Sequence, residues 1–249
     1  MKVTVITVCR NSEETLPDTL RSVAEQSLPG VEHIVVDGAS TDATAEVVRR
    51  HGDHVAKFVS EPDHGIYDAM NKGLCLATGD LVAFLNADDR YADAGVLERV
   101  ARAVHDEGLD AIFGDAAFFR VPDRHSVVRR YRSDRFSPRR LAWGWMPAHP
   151  ALFMRRKIFQ RVGLFHTDYR IAGDFEFVAR AFKDGTLRYR HLPEILVMMR
   201  LGGVSTAGWR STLLLNREVL RACRENGIPT NLMKVLSKYP MKLCEYFLL

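Results

Sequence analysis

The chain has 249 residues, 47% of them hydrophobic and 27% charged, with a formal net charge of +4 and a pI near 8.9. That composition supports a full core in one large domain, or one domain with an appendage, and excludes a disordered or fibrous chain. No run approaches the ~18 apolar residues of a bilayer span, and the small net charge with no nucleic-acid motif argues against a nucleic-acid partner.

The amino terminus opens directly as a strand over Val3–Val8, a short β-branched run typical of a buried parallel strand, with no signal-peptide pattern. "NSEETLPDTLRSVAEQS" reads as a helix with Leu16, Leu20 and Val23 on one face and Pro17 in its first turn. "EHIVVDG" is the second strand, and "STDATAEVVRRH" a helix opened by a Ser/Asp cap. "AKFVSEP" is a third strand, "GIYDAMNKGLCLAT" a third helix and "DLVAFLNADD" a fourth strand. After residue 114 the pattern changes. "GDAAFFR" reads as a strand, "AHPALFMRRKIFQRVGLF" resumes strand and helix, and "GDFEFVARAF" opens another helix. Residues 120–140 carry eight arginines and two acidic side chains. The tail "NLMKVLSKYPMKLCEYFLL" is amphipathic, with Leu232, Leu236, Tyr239, Leu243 and Tyr246 on one face, Lys234, Lys238, Lys242 and Glu245 opposite, and a kink at Pro240. The four cysteines (Cys9, Cys75, Cys223, Cys244) form no CxxC pair, so neither zinc nor a disulfide framework is expected and a reducing cytosol fits.

Strands alternating with helices predict an α/β fold: an open, mostly parallel sheet flanked by helices. Ligands bind such sheets beyond the carboxyl ends of the strands. That rule gathers "TVCRNSE", "VDGASTD" and "NADD" at one crevice, with Asp37 and Asp88 both facing it. Asp88 and Asp89 are adjacent anions at a strand end, where a hard divalent cation relieves their repulsion and in turn holds phosphate oxygens; a solvated acidic turn is the alternative. Asp37 stands where acids accept hydrogen bonds from a nucleotide, or else closes an Asp-Gly turn. There is no GxGxxG loop and no GxxxxGK[ST], which disfavours a dehydrogenase or a P-loop enzyme.

"VITVCRNSEETLPDTLRSVAEQS", "EHIVVDGASTDAT", "SEPDHGIYDAMNKGLCLATGDLVAFLNADDRY" and "YRIAGDFEFVAR" together resemble the family 2 glycosyltransferases of the GT-A fold, closest to small bacterial enzymes of exopolysaccharide, lipopolysaccharide or glycolipid synthesis. The resemblance is dense over the first ninety residues and patchier to about residue 205. It implies a GT-A-type domain over 1–205, with a Rossmann-like nucleotide-sugar half (1–114) and an acceptor half (115–205), then a C-terminal helical extension (206–249). The implied reaction is inverting transfer of a sugar from a nucleotide donor, UDP by default with GDP and dTDP as alternatives, to an acceptor hydroxyl.

Carried over residue by residue, the resemblance assigns the nucleotide to Thr7, Arg10, Asn11, Glu13 and Asp37, with Asp63 and Lys72 from the "DHG" region. The family's DxD motif falls on Asn86-Ala87-Asp88, so the first acid is an asparagine. Asn86 and Ala87 go to the nucleotide-sugar, and Asp88 and Asp89 to Mn2+ or Mg2+. The base falls on Asp174 at the start of a late helix, where a simple N-cap is the alternative. Glu176, two residues on, points elsewhere and is placed as a second acid or acceptor contact. His149 is a phosphate or acceptor contact or a structural histidine. Trp143 and Trp145 are sugar-stacking platforms or core aromatics. The late histidine of many relatives is Leu201 here, so either Arg200 binds the diphosphate instead or the metal is held more loosely. The arginine-rich stretch and the lysine-faced tail suggest a cytoplasmic protein at the inner membrane face, drawn to anionic lipid or to a polyprenol- or lipid-linked acceptor, as against an ordinary basic surface. Two rival readings are a sugar-nucleotide nucleotidyltransferase and a non-catalytic, sugar-nucleotide-binding partner subunit.

Overall fold

The computed structural model describes residues 1–120, 127–201 and 208–239. The first half runs β1 (Val3–Cys9), α1 (Leu16–Ala24), β2 (Glu32–Asp37), α2 (Thr44–His51), β3 (Val55–Ser60), α3 (Ile66–Leu76), β4 (Leu81–Phe84), β5 (Asp89–Tyr91) and α4 (Val96–Asp106). The second runs β6 (Ala111–Phe119), β7 (Val127–Tyr131), β8 (Leu152–Arg155), α5 (Arg156–Val162), α6 (Gly173–Phe182), β9 (Tyr189–Arg200), α7 (Trp209–Glu225) and α8 (Leu232–Leu236). Among the described residues nine strands join one sheet in the order β3-β2-β1-β4-β8-β6-β9-β5, with β7 paired to β6. β1 to β4 are mutually parallel, β8 is antiparallel to both β4 and β6, and β6 is parallel to β9. Six strands therefore share one direction, and β5, β7 and β8 run against them.

The sheet is covered on both faces, because alternate strand residues point to opposite sides. Val3 and Val5 pack toward α4 with Leu97, Val100 and Val104. Ile6 and Val8 pack toward α3 and α6 with Met70, Leu74, Phe175 and Val178. Leu16 and Leu20 do face inward from α1, as their spacing predicts.

Several local expectations are corrected. α1 starts at Leu16, since Asn11 takes a positive φ of 50° and the chain from Asn11 to Glu13 bonds the next loop instead. α2 starts at Thr44, whose N–H donates to Asp42 Oδ1 (3.0 Å), so the aspartate of the expected cap is in place while the Ser40 hydroxyl is taken by Asp37. The fourth strand ends at Phe84, and Asp89–Tyr91 turns back to pair with β9. α4 and β9 were not foreseen. On α8, Val235 and the neighbouring Lys238 are buried, while Leu232, Met233 and Leu236 are exposed. This five-residue helix packs against α7 and the turn at Pro138–Trp143 through Val235, so the foreseen apolar face is largely reversed. Tyr239 does face inward and hydrogen-bonds Asn216. Pro240, Lys242, Leu243, Cys244, Glu245, Tyr246 and Arg124 lie outside the described residues. Among the described residues no helix is long and apolar enough to cross a membrane, and Cys9, Cys75 and Cys223 are free thiols.

Candidate active site

Strand direction decides what meets at the rim. The carboxyl ends of β1, β2, β3, β4 and β9 deliver Arg10, Asp37, the 61–63 loop, Asn86 to Asp88, and Arg200. Because β8 is reversed, the residues before it, including His149, reach the same rim. α6 then brings Asp174 up to His149.

On the nucleotide side the polar groups bind one another. Asp37 is fully buried and accepts hydrogen bonds from the Ser40 backbone N–H (3.1 Å), the Ser40 hydroxyl and the Ser60 hydroxyl (2.7 Å). Asp63 folds over Gly38 so closely that any Cβ there would collide with its carboxylate, and Arg10 Cδ lies against the same point. Asn11 Oδ1 accepts from Thr41 N–H (2.9 Å) and Glu13 from Ala43 N–H (2.7 Å), so both buttress the loop after β2. Lys72 donates to the Pro62 carbonyl (2.7 Å) and pairs with Glu61 (2.9 Å), which shapes the loop carrying Asp63. Thr7 departs from expectation: it is fully buried within β1 and its hydroxyl is bonded to His33 Nε2 (2.9 Å), away from the crevice.

The turn at 86–89 splits its acids. Asp89 is 2% exposed, accepts from Asn86 Nδ2 (3.0 Å), and has its backbone carbonyl bonded by Thr19 (2.7 Å). It is an internal strut, which is at odds with a metal-ligand role. Ala87 packs its methyl with Leu16 and Leu20 of α1. Asp88 is half-buried, and desolvation raises its pKa while the Arg200 guanidinium opposes the rise. Burial and the neighbouring Asp88 push Asp89 well up. Asn86 Oδ1 is buried and has no hydrogen-bond partner among the described residues. An orphaned amide oxygen beside an under-compensated carboxylate fits a hard divalent ion that takes its other oxygens from phosphate and water. Among the described residues no group of three or more His, Cys, Asp or Glu is placed to hold a metal ion, at this turn or elsewhere.

Asp174 lies in the first turn of α6. Desolvation raises its pKa, and His149 works against that rise. Its carboxylate accepts from Phe175 N–H (2.8 Å) and, at 3.4 Å, from the Tyr67 hydroxyl. His149 stacks on Phe84, with ring centroids 5.5 Å apart, and burial lowers its pKa while Asp174 raises it. Glu176 faces away from the crevice. It is 1% exposed and forks onto Arg180 (2.9 Å to both oxygens), so a role as second acid is at odds with its position. The tryptophans divide: Trp145 is buried with Arg135 over its ring, and Trp143 is exposed with Lys234 over its ring. Neither is seen beside Asp174.

Two residues went unforeseen. Tyr67 donates to the Ile171 carbonyl (2.7 Å), and Asn71 makes a two-way bond with the Phe165 backbone (2.9 Å each). They sit four apart on one face of α3 and clamp the chain that leads to Asp174. Two polar residues at helical spacing amid Ala69, Met70 and Leu74 were the available signal.

The solved structures most like this one include S. aureus TarS 1-349 in complex with UDP-GlcNAc, with a TM-score of 0.70 and 20% identity over 89% of this chain and 66% of that one. A mannosyltransferase from Pyrobaculum calidifontis in complex with GDP-Man and Mn2+ gives a TM-score of 0.66 and 24% identity over 88% and 64%. This chain thus spans about two thirds of each, and the likeness establishes a GT-A fold. In sequence, a PGL/p-HBAD biosynthesis glycosyltransferase of Mycobacterium bovis is 33% identical over 192 residues, covering 73% of this chain and 71% of the relative. An uncharacterized glycosyltransferase of Mycobacterium tuberculosis is 35% identical over 183 residues, covering 72% and 68%. The model of glycosyl transferase family 2 matches residues 4–163, and to that family this chain belongs.

Proposed function

We propose that the protein transfers a sugar from a nucleotide-sugar, a UDP-sugar by preference, to an acceptor hydroxyl with inversion at the anomeric carbon, in synthesis of a bacterial polysaccharide or glycolipid. The observation that carries this reading is the pairing at one rim of two differently placed acids: Asp88 next to Arg200, and Asp174 next to His149. Arg10, Asp37 and Asp63 make the nucleoside end. Arg200 offers positive charge to the diphosphate. Asn86 Oδ1 and Asp88 would hold Mn2+ or Mg2+, and the bound ion supplies charge neutralisation for the departing diphosphate. Asp174 takes the proton of the attacking hydroxyl, and its raised pKa suits it to that task. Its neighbour His149 lies beside it, stacked on Phe84. A single displacement needs no covalent nucleophile, and inversion follows from attack opposite the leaving group.

The acceptor is a glycan or a polyprenol- or lipid-linked hydroxyl. Exposed Trp143, Leu232, Met233 and Leu236 beside Lys234 support contact with an anionic membrane surface on the cytoplasmic side. Several arginines of the basic stretch have protein partners, as Arg130 has in Asp115. The lipid contact therefore rests more on α8 than on them.

The test is release of UDP from UDP-N-acetylglucosamine and of GDP from GDP-mannose, each with manganese and then with chelator. Release that needs Asp174 is the expected result. Nucleotide binding without release points to a non-catalytic subunit, and formation of sugar nucleotide from a sugar-1-phosphate and a nucleoside triphosphate points to a nucleotidyltransferase; either overturns the reading.

A further inference from the structure

The loop from Arg170 to Ala172 delivers Asp174, and its backbone is held from an unexpected direction. Glu218, on α7, is 7% exposed. Its Oε1 accepts from Arg170 N–H (2.8 Å), and its Oε2 from Ile171 N–H (2.9 Å) and Ala172 N–H (2.8 Å). Three consecutive amides thus point at one carboxylate, and hydrogen bonds to an ionised acceptor are roughly twice as strong as neutral ones. From the opposite side Tyr67 bonds the Ile171 carbonyl (2.7 Å), so residue 171 is gripped at both its N–H and its C=O. Gly173 completes the fit, since a Cβ there would lie 2.7 Å from the Tyr67 ring. Among the described residues the short hydrogen bond that the Asp174 carboxylate takes from another residue comes from the adjacent amide. Its aim is therefore set by the backbone that Glu218 fixes. α7 lies outside residues 4–163, the part matched by the family model.

We propose that Glu218 is a positioning residue for the reaction: an anion on the C-terminal α7 that clamps the 170–172 backbone and so holds Asp174 at the working position and depth. The proposal rests on the reading of Asp174 as the base. It gives the C-terminal helix a part in the chemistry without contact to either substrate.

The test compares Glu218→Gln, Glu218→Asp, Glu225→Gln and Asp174→Asn in the full chain. Release of UDP from UDP-N-acetylglucosamine, or of GDP from GDP-mannose, is followed against pH, alongside binding of the free nucleotide. Glu218→Gln turns one donor toward the amides. It should lower kcat roughly 10- to 100-fold, the cost of a misplaced catalytic group, and leave nucleotide affinity unchanged. The acid limb of its profile should also move to lower pH, because a loosened loop admits water to Asp174; His149 and Tyr67 are the other titratable groups facing it. Glu218→Asp, one methylene shorter, should shift the same way by less. Glu225→Gln should keep the parent profile, since it loses bonds on the same helix to Tyr169 and Arg221 and none to residues 170–172. A folded Glu218→Gln with the parent kcat and acid limb overturns the proposal. So does a Glu218→Asp that matches the parent where Glu218→Gln fails to fold. Parent-rate release by Asp174→Asn instead removes the base assignment itself, a separate failure.

Discussion

On the nucleotide side of the rim, Asp37, Asn11, Glu13 and Lys72 each have protein partners within hydrogen-bond reach. On the other side Asp88, Asp174 and the Asn86 oxygen are half-buried or orphaned, and both acids are pushed toward their protonated forms. One region is assembled in advance, and the other stores uncompensated charge. The difference teaches where chemistry is expected. A binding surface gains from rigidity, whereas a site that moves a proton or receives a cation keeps polar groups unsatisfied until substrate arrives.

The following outcomes would break or sharpen that contrast, the effects on activity from the largest down and then those on stability. Asp174→Asn should cut turnover by roughly 100-fold or more, the scale of a lost general base, with nucleotide binding near normal; steady-state kinetics beside calorimetry of UDP or GDP binding decide it. Asp88→Ala should weaken donor binding by about 10-fold when manganese is present and scarcely at all in chelator, as expected for loss of one charged ligand. Equal effects in both conditions would assign Asp88 to direct substrate contact.

The third outcome contrasts acid responses. His33 is buried between Thr7 and His54, and desolvation lowers its pKa to about 3. A base depressed in the fold stabilises fully above its ordinary value of about 6.5 and loses that contribution as pH falls toward the folded value. Stability to urea should therefore fall between these limits by roughly 5 kcal/mol, and His33→Gln should flatten the slope. Asp174 has the opposite sign: its folded pKa is raised, so its charged form opposes folding, and the penalty appears as pH rises through that value. Asp174→Asn should accordingly be more stable than the parent at neutral pH, in exchange for its activity. A destabilised Asp174→Asn would mean that the carboxylate is structural.

Much of the site was legible because its residues end strands. Asp37, Asp88 and the loop after β1 could be placed at one crevice from the alternation of strand and helix, and Asp174 from its motif. What failed did so through side-chain direction. Thr7 and Asp89 stand at suitable places in the chain, but each side chain turns inward, to His33 and to Asn86. Glu176 shares a helix turn with Asp174 and is swung about to Arg180. α8 reversed its foreseen face because so short a helix takes its orientation from what it packs on.

The sequence by itself determined the α/β alternation, the rim of strand ends and the family, because hydrophobic period and ordered motifs are local along the chain. Only the tertiary structure decided the reversed β8 that brings His149 to the rim, and the grip of Tyr67 and Glu218 on the loop before Asp174. Those contacts join residues 47 and 104 positions apart, and no local pattern encodes which distant carboxylate or hydroxyl will meet a given backbone amide or carbonyl.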